Sequence, residues 1–73
     1  MQYYFKSPFG KFFISSAPYG GYNLKVEEDV INWADTAEEL AQQVYEKTSG
    51  LEEWDNSTIE ERAANLEEWQ VRI

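Results

Sequence analysis

Carboxylates are the most abundant reactive groups in this chain: 14 of its 73 residues are aspartate or glutamate, and no histidine or cysteine accompanies them. That absence removes Ser-His and Cys-His nucleophile pairs, imidazole acid-base catalysis and the common zinc ligand sets. Carboxylate, hydroxyl and amine chemistry remain. Two acids hydrolyse a glycoside when a cleft holds them at separated pKa values, but a single small core leaves little room for such a cleft. "VEEDV" at 26–30 and "LEEWDNS" at 51–57 concentrate oxygen ligands. Neither has the spaced acids, central glycine and closing glutamate of an EF-hand loop, and adjacent glutamates such as Glu52 and Glu53 do not turn easily onto one ion. "YGGYNLK" lacks the lysine and hydroxyl spacing of a phosphate loop. We therefore expect solvated surface acid, no catalytic residue, no metal and no cofactor.

Binding chemistry is better represented. Tyr4 and Phe13 stand among Lys6, Lys11 and Lys25, a set able to stack on bases or bury against a protein partner. Trp54, in an acidic loop, is a further candidate contact. The charge is unevenly placed: residues 1–26 carry +3 and residues 27–73 carry −11, for a net −8. Overall acidity disfavours nucleic acid and anionic lipid as partners. The acid run from Glu27 to Glu68 has two readings, a solvated helical face or an imitation of a phosphate backbone that blocks a DNA- or RNA-binding protein.

These residues must be positioned by one small domain spanning 1–73. There is no disulfide to staple it, and the 16% aromatic content supplies the large core side chains instead. The absence of cysteine fits a reducing, cytoplasmic setting. Nothing reaches the ~18 apolar residues of a membrane span, and the first residues have neither a basic leader nor a hydrophobic signal core.

"SPFG" at 7–10 returns as "APYG" at 17–20, and both have the chemistry of tight turns. The segments around them, "QYYFK", "KFFISS" and "YNLKVE", are short and rich in aromatic and β-branched residues, which predicts a three-stranded antiparallel meander. Tyr3, Phe5, Phe12, Ile14, Tyr22, Leu24 and Val26 fall on one face. Tyr4, Lys6, Lys11, Phe13, Asn23 and Lys25 fall on the reverse. Successive turns of a meander lie at opposite ends, so Phe9 and Tyr19 should not meet.

"TAEELAQQVYEKTSG" predicts an amphipathic helix presenting Ala37, Leu40, Ala41, Val44 and Tyr45, capped by Thr36 with Glu39 and stopped at Gly50. It should cover the apolar sheet face, with Val30, Ile31 and Trp33 along the seam. Ser57 with Glu60 predicts a second short helix to about Ala64. Residues 66–73 fit either a helix or a strand, and we favour an extended tail. "LEEW" at 51–54 and 66–69 is too brief an echo to mark a structural repeat. The C-terminal segment, with Trp54 and Trp69, offers a cover for the reverse sheet face. If it lies elsewhere, that face is open.

The order "SPFGKFFI", "YNLKV", "VYEKTSG", "EEWD" and "LEEW" resembles a group of small uncharacterised bacterial proteins sharing this layout over nearly the whole chain, with "IEERAAN" replacing a proline-rich turn. The resemblance implies the layout and brings no activity, cofactor or partner. The expectation is an α+β domain that acts as a non-catalytic module and binds a protein through the Tyr4 and Phe13 face or the Trp54 loop. The acidic mimic is the alternative.

Overall fold

Both proline-aromatic-glycine steps are turns, at opposite ends of strand β2. The structure is a computed structural model that describes residues 2–60 and 63–72. Strands β1 (Gln2–Ser7) and β2 (Gly10–Ser16) are joined by Pro8 and Phe9, and the Ser7 hydroxyl accepts the Phe9 N–H at 3.2 Å. Strand β3 (Tyr22–Val26) follows a loop closed by the Gly20 N–H donating to the Ala17 carbonyl at 3.2 Å.

The meander then continues one strand further than expected. Residues Asp29–Ala34 form β4, turned at Glu27 and Glu28, and Gln70–Arg72 form β5. The sheet has the order β4-β3-β2-β1-β5 with every pairing antiparallel. The β3-β4 turn was hidden because it contains no glycine, proline or asparagine. Glu27 takes a positive φ of 55° there, a conformation that costs a side-chain-bearing residue roughly 1–2 kcal/mol. Its side chain offsets part of that cost. The Glu27 carboxylate accepts the Lys11 N–H at 3.0 Å while the Glu27 N–H donates to the Lys11 carbonyl at 3.1 Å.

The β3-β4 ladder contains a bulge. Leu24 pairs with Asn32 and Lys25 with Val30, leaving Ile31 as the extra residue. This shift corrects the expected seam: Ile31 packs against the core, but Val30 and Trp33 are 55% and 49% exposed. Beyond the bulge the edge is guarded by Gly50, where an added Cβ would lie 2.9 Å from the Ile31 carbonyl oxygen. Only glycine, with a φ of +104° here, lets the following loop approach so closely.

Helix α1 (Ala37–Tyr45) forms as its sequence requires, with the Thr36 hydroxyl accepting the Glu39 N–H at 3.2 Å. Ala37, Leu40, Ala41 and Val44 are buried against Phe12, Ile14, Leu24 and Val26. Each large side chain so buried contributes roughly 1.5–3 kcal/mol. The helix ends before Gly50. Lys47 takes the left-handed position at φ 64°, and the Lys47 and Thr48 N–H groups donate to Val44 and Gln43 in a Schellman closure.

A single-turn helix α2 (Glu52–Asp55) comes next, where no helix was expected. The helix predicted from Ser57 is not seen: residues 57–60 are irregular, and 61–62 lie outside the described residues. Ser57 instead donates its hydroxyl to the Trp54 carbonyl at 2.7 Å and receives the Lys47 ammonium at 2.8 Å. A one-turn 3₁₀ helix at Leu66–Glu68 leads into β5, which bears out the extended ending through Arg72. Trp54 and Trp69 both pack on Phe5, with ring centroids at 5.8 and 5.7 Å. The two "LEEW" copies thus do the same work, each making a helical turn that drops a tryptophan onto the helix side of the sheet.

Candidate functional site

The side chains of β1 and β2 alternate, so burying Phe5 and Phe12 sends Tyr4 and Phe13 to the other side. Tyr4 and Phe13 are direct cross-strand partners with ring centroids 6.4 Å apart and planes tilted by 44°. Such a pair adds a fraction of a kcal/mol to about 1 kcal/mol to strand pairing. Lys11 reaches over both rings, its Nζ 5.1 Å from the Tyr4 centroid and 5.8 Å from that of Phe13. The Tyr4 hydroxyl donates to Gln70 Oε1 on β5 at 2.5 Å, which fixes the ring toward the sheet edge.

Register places the remaining cations around this pair. Lys25 is opposite Phe13, and Lys6 is opposite Lys11. Like charges directly opposite across two strands repel, and the sheet keeps them side by side without a carboxylate bridging them among the described residues. Arg72 is opposite Gln2 and so joins the same face. A shallow recess of about 320 Å³ lies among Tyr4, Lys11, Phe13, Val71 and Arg72. Five of the six sequence-derived candidates therefore share one surface.

The sixth does not. Trp54 is fully buried, its indole N–H donating to the Val44 carbonyl at 2.9 Å and its ring meeting Phe12 edge-on at 5.6 Å. The Trp54 loop is a core element, held by Asp55. One carboxylate oxygen accepts the Ser49 N–H at 3.0 Å and the Ser49 hydroxyl at 2.8 Å, and the other accepts the Gly50 N–H at 3.0 Å. Trp69 is buried as well. Neither tryptophan covers the Tyr4 and Phe13 face, contrary to the covering role offered by the C-terminal segment.

Sequence reasoning missed Val30 and Trp33. Both belong to this open face, because Val30 pairs with Lys25 and Trp33 with Asn23. The Trp33 indole N–H is anchored by the Gly20 carbonyl at 3.0 Å, so its exposed ring is held in place. The β-branched pair Val30-Ile31 between two acidic turn segments was the available signal for a fourth strand. The bulge that turns Val30 outward had none.

Among the described residues there is no group of three or more histidine, cysteine, aspartate or glutamate side chains arranged for a metal ion. No helix among them is long and apolar enough to cross a membrane. The chain matches no family model, no curated protein and no solved structure.

Proposed function

We propose that this chain is a small interaction module that acts by binding and docks a protein partner on the open sheet face. The partner would bring an apolar side chain to Tyr4 and Phe13 and carboxylates to the surrounding cations. The observation that carries this reading is the juxtaposition of Lys6 and Lys11 beside a half-buried aromatic pair. A cross-strand lysine pair costs stability by repulsion, and a partner carboxylate between the two ammonium groups would reverse that sign. Trp33 and Val30 extend the contact surface on the β4 side with anchors of the kind that dominate interface energies. The net charge of −8 weighs against nucleic acid as the occupant.

The test is capture from a bacterial lysate by the intact protein, beside a Tyr4→Ser, Phe13→Ser variant and a Lys6→Glu, Lys11→Glu variant, all three first shown to be folded by circular dichroism. The expected result is one protein retained by the intact chain at ~300 mM salt, where the Debye length is well under 10 Å. Both variants should lose it. If both folded variants retain the same protein, the face is not the site. Capture that disappears with salt and survives both variants would instead favour the exposed carboxylates of the helices, the behaviour of an acidic mimic.

A further inference from the structure

On the opposite side of the sheet a second cavity, of about 470 Å³, opens between the start of α1, the 3₁₀ turn and the β1-β5 edge. Its walls include Tyr3 from β1 and Trp69 from the residue before β5, with Leu66 at one side. Two carboxylates line it, Glu38 from the first turn of α1 and Glu67 from the 3₁₀ turn. No lysine or arginine lines it among the described residues, although Lys and Arg together number 6 in the chain.

Trp69 carries a second and independent signal. It is only 4% exposed, and its indole N–H finds no acceptor among the described residues. A buried donor left unmet is uncommon in a folded protein and calls for a partner from outside the chain or a residue that shifts to find one. Phe5 stacks near the indole at 5.7 Å but offers it no lone pair.

From these walls we infer that the cavity takes a small organic cation, an ammonium group carried on an apolar body. Aromatic faces attract a cation through their quadrupole, and the exposed carboxylates of Glu38 and Glu67 add a Coulomb attraction that solvent partly screens. A bare metal ion is the poorer fit, because Glu38, Glu67 and Asn65 are the only described side chains in the lining that offer a carboxylate or amide oxygen, short of the roughly six or more ligands that a hard cation takes, and the rest of the wall is aromatic and aliphatic. An anion is excluded by Glu38 and Glu67. The Trp69 indole nitrogen is itself sealed from the cavity, so a hydroxyl or carbonyl on the ligand would meet it only if the side chain turned. The site is independent of the sheet face carrying Tyr4 and Phe13, and each succeeds or fails without the other.

The experiment is a titration of the isotope-labelled intact chain with choline chloride, following the three tryptophan indole N–H signals by proton-nitrogen correlation NMR. Parallel titrations use 3,3-dimethyl-1-butanol, the uncharged carbon analogue of choline, and sodium chloride at matched ionic strength. Choline should move the Trp69 indole and the Leu66 and Glu67 amides saturably in the millimolar range, with little movement of the Trp33 indole. A Glu38→Gln, Glu67→Gln variant, whose changes fall on exposed side chains, should bind choline roughly tenfold more weakly. The inference is overturned if choline leaves the Trp69 signal in place, if the uncharged analogue or sodium chloride moves it equally, or if the charge-neutralised variant binds choline unchanged.

Discussion

The ammonium of Lys47 stands 4.8 Å from the centre of the Trp54 ring, while the backbone of the same lysine closes helix α1 in the left-handed conformation at φ 64°. One residue thus ends a helix, covers the largest buried ring and donates to both the carbonyl and the hydroxyl of Ser57 at 2.8 Å. Glycine would serve the backbone better, at a saving of roughly 1–2 kcal/mol in strain. The side chain's contacts outweigh that saving.

Lys47→Gly should therefore destabilise the fold modestly, by about 1 kcal/mol, because relief of strain offsets part of the lost contacts. Lys47→Ala keeps the strain and loses the same contacts. Urea denaturation should rank the intact chain above the glycine variant and the glycine variant above alanine; alanine above glycine would refute the account of Lys47.

Asp55→Asn should be more damaging than its near-identical shape suggests. The carboxylate accepts from Ser49 twice and from Gly50 once, and an amide nitrogen in place of either oxygen faces an N–H donor. The expected loss is about 2 kcal/mol. At roughly 4–8 °C per kcal/mol for a domain of this size, Tm should fall by about 10 °C. A thermal melt within a degree or two of the intact chain would rule out this role.

Phe12 and Phe13 are neighbours in sequence and opposites in the sheet. Phe12 is fully buried, so Phe12→Ala should cost roughly 3–5 kcal/mol and unfold much of the population. Phe13→Ala should cost about 1 kcal/mol, the value of a cross-strand aromatic contact. Chemical denaturation of both variants checks this, and equal losses would mean that the Phe13 face is a second core.

Gly21 sits at φ +70°, where an added Cβ would lie 2.4 Å from Trp33 Cζ2 and 2.7 Å from the Ala34 carbonyl oxygen. Trp33 can swing away, but the β4 backbone cannot. Gly21→Ala should cost about 2 kcal/mol and should shift Trp33 emission, read by comparing fluorescence with and without Trp33→Phe. An unchanged spectrum and stability would show that the β2-β3 loop has room that this geometry denies.

The Tyr4 and Phe13 face was legible because it needs only two local facts, the positions of the Pro8 and Pro18 turns and the alternation of side chains along a strand. Those facts also set the register that puts Lys6 opposite Lys11. Helix α1 was legible through Thr36 and its spaced apolar residues, since capping and amphipathicity act within one or two turns. Its end was not, because Gly50 has the propensity for a C-terminal stop, while the preference for Lys47 comes from contacts with Trp54 and Ser57 across the fold.

By itself, then, the sequence determined the three-stranded meander, the division of its faces and the main helix, all of which depend on near neighbours; the ending fitted helix or strand until pairing with β1 at the far end of the chain made it β5. Tertiary structure alone decided the rest. Glu27 turns the chain from β3 into a fourth strand while its carboxylate accepts the Lys11 N–H, and the bulge at Ile31 puts Val30 on the same outward face as Trp33. Trp54 and Trp69 converge on Phe5 from segments far apart in the chain, leaving the opposite face open. The physical reason is burial: a large ring takes the side that removes the most apolar surface from water, and which side that is emerges only once the helix has covered the sheet.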